Sequence, residues 1–224
     1  MDMKGRGLFL SRTLSYRGAE FEVVTEDLNP AYSTLYDASV DLWNDLHEEL
    51  GNMRDMILSK VQLLDEEKKD LSRMMGIFWG AHQRFFNQLC LGAKVPAVIR
   101  IAKQALAAGQ CVVIGLQSTG EARTGAYVQK HGFGGDFISA ARAFVLHVVE
   151  DMYRVGSEFA CQQLALPDLV KRKKELLRRV DALDYPNNPL DSIIDALGGP
   201  TRVAEMTGRS ARIVRRAKGK VRQS

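Results

Sequence analysis

One short run constrains the fold of this chain more than any other: Cys111 to Leu116, CVVIGL. It is apolar, rich in β-branched residues, and set among long stretches of helical periodicity. That composition predicts a parallel strand covered on both faces. A single strand of this kind cannot satisfy its own edges. The chain is therefore expected to be mainly helical with a small, incomplete sheet, and to be marginal alone or dependent on a partner.

The strand is expected to stop in a polar turn. Gln117, Ser118, Thr119 and Gly120 supply donors, acceptors and a permissive backbone, and Glu121 and Arg123 follow at the start of a predicted helix. Ligands of open α/β sheets sit at such carboxyl ends of strands.

The rest of the chain is dominated by helical spacing. Lys4 to Ser15 predicts a short helix weakened by Gly5 and Gly7, and Phe21 to Thr25 a strand broken by Leu28-Asn29-Pro30. A helix is expected from Ala31 to about Leu71, with Leu35, Leu42, Leu46 and Leu50 on one side and Gly51 or Asn52 as an interruption. The run Asp65 to Asp70, DEEKKD, predicts a solvated helical face. Ser72 to Leu91 is dense in aromatics, and a separate helix is expected from Ala93 to Ala108, with Pro96 in its first turn and Gly109 as its stop. Further helices are predicted over Glu121 to Lys130, over Phe137 to Tyr153 with Asp136 as N-cap, and over Asp168 to Leu183. Tyr185 to Pro189 is a linker, Leu190 to Leu197 a short helix ended by Gly198-Gly199-Pro200, and Thr201 a cap for a helix through Met206. Arg212 to Arg215 is a strand or part of a disordered tail.

Composition narrows the classes. Of 224 residues, 46% are hydrophobic and 26% charged, enough apolar content for a globular core. The net charge of +4 permits a nucleic-acid partner without requiring one. Cys90, Cys111 and Cys161 are far apart and lack zinc-ligand spacing, so they are expected to be reduced thiols in an intracellular protein. No uninterrupted apolar run is long enough to span a bilayer, and no membrane partner is expected. His47, His131 and His147 are scattered and build no catalytic site by their positions.

Four segments carry a family resemblance. IFWGAHQRFF (Ile77 to Phe86), CVVIGLQSTGEAR (Cys111 to Arg123), LGGPTRVAEMTGR (Leu197 to Arg209) and the opening MDMKGRGLFLSRTLSYRGAEFEV together resemble the Strawberry notch family of helicase-like proteins. The matches run in the family's order across nearly the whole chain. The resemblance implies superfamily-two architecture: two RecA-like lobes that bind ATP and nucleic acid between them, in a nuclear regulator of transcription. It implies ATP and Mg²⁺ for the intact protein, but no cofactor in this chain. There is no G-x-x-x-x-G-K-[ST] loop, no Asp-Glu pair after an apolar strand, and no late arginine motif. The expected organisation is the end of a first lobe over 1–29, a helical connector over 30–109, the start of a second lobe over 110–184, and a helicase C-terminal-like segment with a basic tail over 185–224. The fold class implied is α/β, predominantly helical, with an incomplete RecA-like layer.

The resemblance also directs the site residues. In related helicases the loop after this strand approaches the backbone of the bound strand. Hydroxyls, backbone amides at a helix start and an arginine suit phosphate oxygens. Gln117, Ser118, Thr119 and Arg123 are therefore candidate nucleic-acid contacts. The competing reading is a helix cap closed by Glu121. Thr207 and Arg209, in AEMTGR, are candidates of the same kind, with Gly208 either a sharp turn or a helix C-cap. Trp79, His82, Arg84, Phe85 and Phe86 suit base stacking, but their spacing favours a buried face with His82 and Arg84 at its polar edge. The tail from Arg209, with Arg212, Arg215, Arg216, Lys218, Lys220 and Arg222, reads as a weak phosphate binder, a nuclear localisation signal or a frayed terminus. Expected partners are a DNA or RNA backbone, transcription or chromatin proteins, and the remaining helicase lobes. The expected location is the nucleus, with a cytoplasmic pool compatible. No catalytic residue and no metal ligand is expected here. The alternative function is a helical protein-interaction module.

Overall fold

A computed structural model describes residues 18–60, 65–118, 139–160, 166–208, 213–215 and 221–223. Five helices dominate the described residues: α1 Pro30–Lys60, α2 Asp65–Ala107, α3 Ala140–Ala160, α4 Leu166–Asp181 and α5 Pro189–Ala196. Two three-residue strands, β1 Ile213–Arg215 and β2 Val221–Gln223, pair antiparallel with Val214 opposite Arg222. The helical character expected from periodicity is present. The RecA-like layer is not: among the described residues the sheet is that one hairpin.

Local chemistry sets the helix ends. Asn29 Oδ1 accepts the Tyr32 amide at 2.8 Å, and Pro30 fills the first helical position, so α1 begins where the sequence places it. Gly109, at φ 77°, ends α2 as expected, and the Gln110 amide reaches back to the Ala105 carbonyl at 3.0 Å. α5 is bounded in the same way. Asn188 Oδ1 accepts from the Leu190 amide at 2.9 Å and more weakly from Asp191 at 3.4 Å. Gly198 and Gly199 lie at φ 107° and 78°, and the Gly199 amide bonds the Ile194 carbonyl at 2.9 Å.

Packing overrides several breaker signals. α1 runs through Gly51 and Asn52 without interruption. The two helices expected on either side of Gly92 are one, α2, with Pro96 inside it. Pro96 removes the donor that would reach the Gly92 carbonyl. The helix continues, packed against α3 and α5, with Leu89 and Ala102 buried on either side of the defect. Thr201 caps no helix: 203–206 is non-helical, and its hydroxyl turns back to the Gly198 carbonyl at 3.5 Å.

The core lies among α1 to α4. α1 contributes Leu42, Leu46, Leu50, Met53 and Ile57, and α2 contributes Leu71, Met74, Phe78, Phe85 and Leu89, each at steps of three, four or seven. α3 is buried on most of its girth from Ala140 to Tyr153. Leu176 and Val180 bring α4 against it. Trp43 is fully enclosed, with Phe78 and Phe85 each 5.3 Å away, centroid to centroid. Salt bridges then fix α4 on α1: Arg172 to Glu49 at 3.0 Å, and Arg179 to Asp45.

Neither strand expected near the ends of this bundle forms. Residues 18–29 and 110–118 form no β-ladder among the described residues, and Phe21 and Val113 are 92% and 97% exposed. A helix closes its hydrogen bonds within itself, whereas a strand needs a neighbour.

Candidate nucleic-acid interface

The first expected site piece begins where Gly109 releases the chain from α2. Over 111–118 exposure alternates: Cys111, Val113, Gly115 and Gln117 face outward, while Val112, Ile114, Leu116 and Ser118 are half-buried. This is the period of a pleated strand without its sheet. Cys111 is thus an exposed free thiol, not the buried start of a strand, and Cys90 on α2 is exposed as well. Gln117 is open to solvent, and Ser118 is half-buried with a polar partner. Thr119, Glu121 and Arg123 lie outside the described residues, as do the helix expected over Glu121 to Lys130 and the cap Asp136.

The second piece follows α5. The stem of Arg202 lies over Gly198, where an added Cβ would stand 3.0 Å from its Cδ. The chain then extends to Met206, which is 95% exposed. Thr207 is exposed, and its hydroxyl donates to Glu205 Oε1 at 2.5 Å. A phosphate oxygen at Thr207 would have to displace that carboxylate. Arg209 and most of the basic tail lie outside the described residues.

The aromatic cluster folds as the buried-face reading expects, with one exception. Phe78, Phe85 and Leu89 are core residues and Phe86 packs against them. His82 sits among rings, 4.8 Å from Phe86, 5.3 Å from Trp43 and 5.5 Å from Trp79. Burial there holds its pKa below the usual histidine range. Arg84 lies over the Phe144 ring at 5.7 Å. Trp79 is the exception: it is 48% exposed and is joined at 5.3 Å by His47 of α1. Sequence spacing could not find that pairing, because the two residues are distant along the chain and meet only when α1 packs on α2.

A second feature invisible in the sequence is a shallow groove of about 560 Å³ between the start of α1 and the linker after α4, lined by Leu35, Ala38, Leu183, Tyr185, Pro186 and neighbours. Tyr32 closes one side by donating to the Leu89 carbonyl at 2.6 Å, and burial pushes its hydroxyl and that of Tyr185 above the ordinary tyrosine range. His147 is half-buried beside Asp151 at 3.4 Å. Among the described residues no cluster of three His, Cys, Asp or Glu side chains could hold a metal, and no helix is long and apolar enough to cross a membrane.

Comparison with known proteins adds what this geometry leaves open. Residues 188–224 match a helicase C-terminal family model described as the C-terminal domain on Strawberry notch homologue. Protein FORGETTER 1 of Arabidopsis thaliana is 30% identical over 345 residues, covering 98% of this chain and 26% of that protein. Protein strawberry notch homolog 1 of Gallus gallus is 34% identical over 220 residues, covering 98% of this chain and 16% of that protein. Protein strawberry notch of Drosophila melanogaster is 38% identical over 151 residues, covering 67% of this chain and 9% of that protein. The chain thus spans about a quarter or less of these relatives' length. The Arabidopsis alignment, at 345 residues, is longer than the 224-residue chain, so that relative has residues inside the matched stretch that this chain lacks. No solved structure matches.

Proposed function

This chain belongs to the Strawberry notch family, and from that premise we propose that it is the connector segment of a helicase-like regulator of transcription, holding two lobes and touching nucleic acid, without hydrolysing ATP by itself. The observation that carries the proposal is the position of the two segments whose composition reads as strand. Residues 18–29 are tied to α2 by the Glu26–Arg100 salt bridge, and residues 110–118 leave α2 at Gly109. Both segments of strand composition therefore lie near the same end of α2, whose 43 residues make a rod of about 64 Å. A connector built this way would hand one strand to each of two sheets. The nucleic-acid contacts assigned are Gln117, Ser118, Thr119, Arg123, Thr207 and Arg209. ATP and Mg²⁺ would be held by other parts of a longer protein, since no Walker A or Walker B sequence occurs here. Transcription or chromatin partners and a nuclear location, with or without a cytoplasmic pool, belong to the same proposal.

Fluorescence polarisation of labelled single- and double-stranded oligonucleotides across a salt series tests this. The full chain, a form truncated before Arg209, and Arg123→Ala with Arg209→Ala are compared. Binding that survives truncation and weakens in the double variant supports the contacts. An unchanged affinity of the double variant at low and moderate salt removes them. A Mg²⁺-dependent thermal shift with ATP would overturn the claim that the chain holds no nucleotide.

A second reading, a helical interaction module, is favoured by the groove at the start of α1 and by half-exposed Trp79. It gains if neither the full nor the truncated form binds any oligonucleotide.

A further inference from the structure

α4 carries six cations, Lys171 to Lys174, Arg178 and Arg179, and the fold divides them by task. Arg172 and Arg179 flank the core on the α1 side and are engaged by Glu49 and Asp45. Lys173 lies over the Tyr153 ring at 6.0 Å. Lys171, Lys174 and Arg178 point the opposite way. They follow one another at helical steps of three and four, away from buried Leu176 and Val180, and all three are exposed. Lys171 and Lys174 engage no acidic partner among the described residues. Of the acids exposed on this part of α4, Glu175 is occupied by Arg178 at 2.8 Å, a bond that holds its carboxyl below the usual range, and Asp181, three residues beyond Arg178, is engaged by Arg142 of α3.

We propose that Lys171, Lys174 and Arg178 form a contact ridge for a nucleic-acid backbone, separate from the arc at Gln117 to Arg123 and from the basic tail. It shares with the connector reading only the class of partner. The cations rise along α4 in steps of about 4.5 and 6 Å, a scale suited to successive phosphates of one strand. The chemistry selects against other anions. A protein interface would need an apolar or aromatic centre, and a bilayer would need large apolar residues beside the cations. Among the described side chains, the outward face of α4 offers Lys171, Lys174, Glu175, Arg178 and Asp181, with no large apolar side chain among them.

The test uses the full chain, a labelled single-stranded oligonucleotide, and inorganic polyphosphate as a second probe. Lys171→Gln with Lys174→Gln is compared with Lys94→Gln and Lys103→Gln, which removes the same charge from exposed positions of α2. The ridge variant should lower the slope of log affinity against log salt by about 1.4, at roughly 0.7 per lost phosphate contact on a single strand. The control pair should leave the slope unchanged. Unfolding midpoints should match the parent in both, since neither pair holds the fold together. Equal slopes in the two variants would reduce the effect to net charge and overturn the ridge. So would a parent chain that binds neither probe, or lysine-dependent binding to anionic vesicles with oligonucleotide binding intact. If Arg123→Ala with Arg209→Ala changes nothing while the ridge variant still lowers the slope, the arc falls and the ridge stands.

Discussion

Gly92 is buried where α2 meets Tyr32 and Pro186, so Gly92→Ala tests the packing directly. An added Cβ would stand 2.6 Å from Tyr32 Oη, 2.9 Å from Pro186 Cγ and 3.0 Å from Pro186 Cβ. Alanine in a helix interior gains about 1 kcal/mol over glycine. Against this, forcing a methyl into a filled site costs about 1–3 kcal/mol. Pushing Tyr32 aside also strains its 2.6 Å bond to the Leu89 carbonyl, worth about 1 kcal/mol. The balance is a net loss of about 1–3 kcal/mol. Urea unfolding, followed by tryptophan fluorescence, reads it, because Trp43 and Trp79 report on the α1–α2 contact. Gly76→Ala is the internal reference: nothing lies within 4 Å of its added Cβ, so the helix gain should appear alone. Tyr32→Phe in the Gly92→Ala background should recover part of the loss, since it removes the nearest atom. A Gly92→Ala chain stabilised as much as Gly76→Ala would refute the placement of Tyr32 and Pro186 against α2.

Two other outcomes follow from the structure. Asn188→Ala should destabilise by about 1–2 kcal/mol, because a buried side chain that caps two amides is lost, while Asn188→Ser should retain part of the cap; equal midpoints for the parent and the alanine variant would contradict this. His82 has a folded pKa below its unfolded value, so the unfolded state takes up its proton first; stability should be full above pH about 6.5 and decline as pH falls below it, and His82→Gln should flatten that decline in unfolding midpoints measured across pH.

Legibility differed by element, for physical reasons. The leucine spacing of α1, the Asn29-Pro30 start, the Gly109 stop and the Pro189 to Gly199 unit could be read from the chain because their determinants lie within a few residues. The continuity of α2 could not, since Pro96 and Gly92 are local breaker signals and the packing that overrides them comes from α3, α5 and the Tyr185-Pro186 linker. The candidate site was legible as chemistry, in QSTGEAR and EMTGR, but not as geometry. The engagement of Thr207 by Glu205 appears only in three dimensions. So does the approach of His47 to Trp79.

By itself, the sequence determined the helical majority, the glycine stops at Gly109 and Gly198-Gly199, the family and the charge. These depend on hydrogen bonds and side-chain periodicities that close within one or two turns. Only the tertiary structure decided which strand-like run could become a strand and which cations of α4 were bound to the fold. Phe21 to Thr25 and Cys111 to Leu116 carry strand composition, yet neither forms a strand among the described residues. A β-strand is completed by another segment's backbone, and an ion pair by another helix's carboxylate. Neither partner is written in the residues that await it.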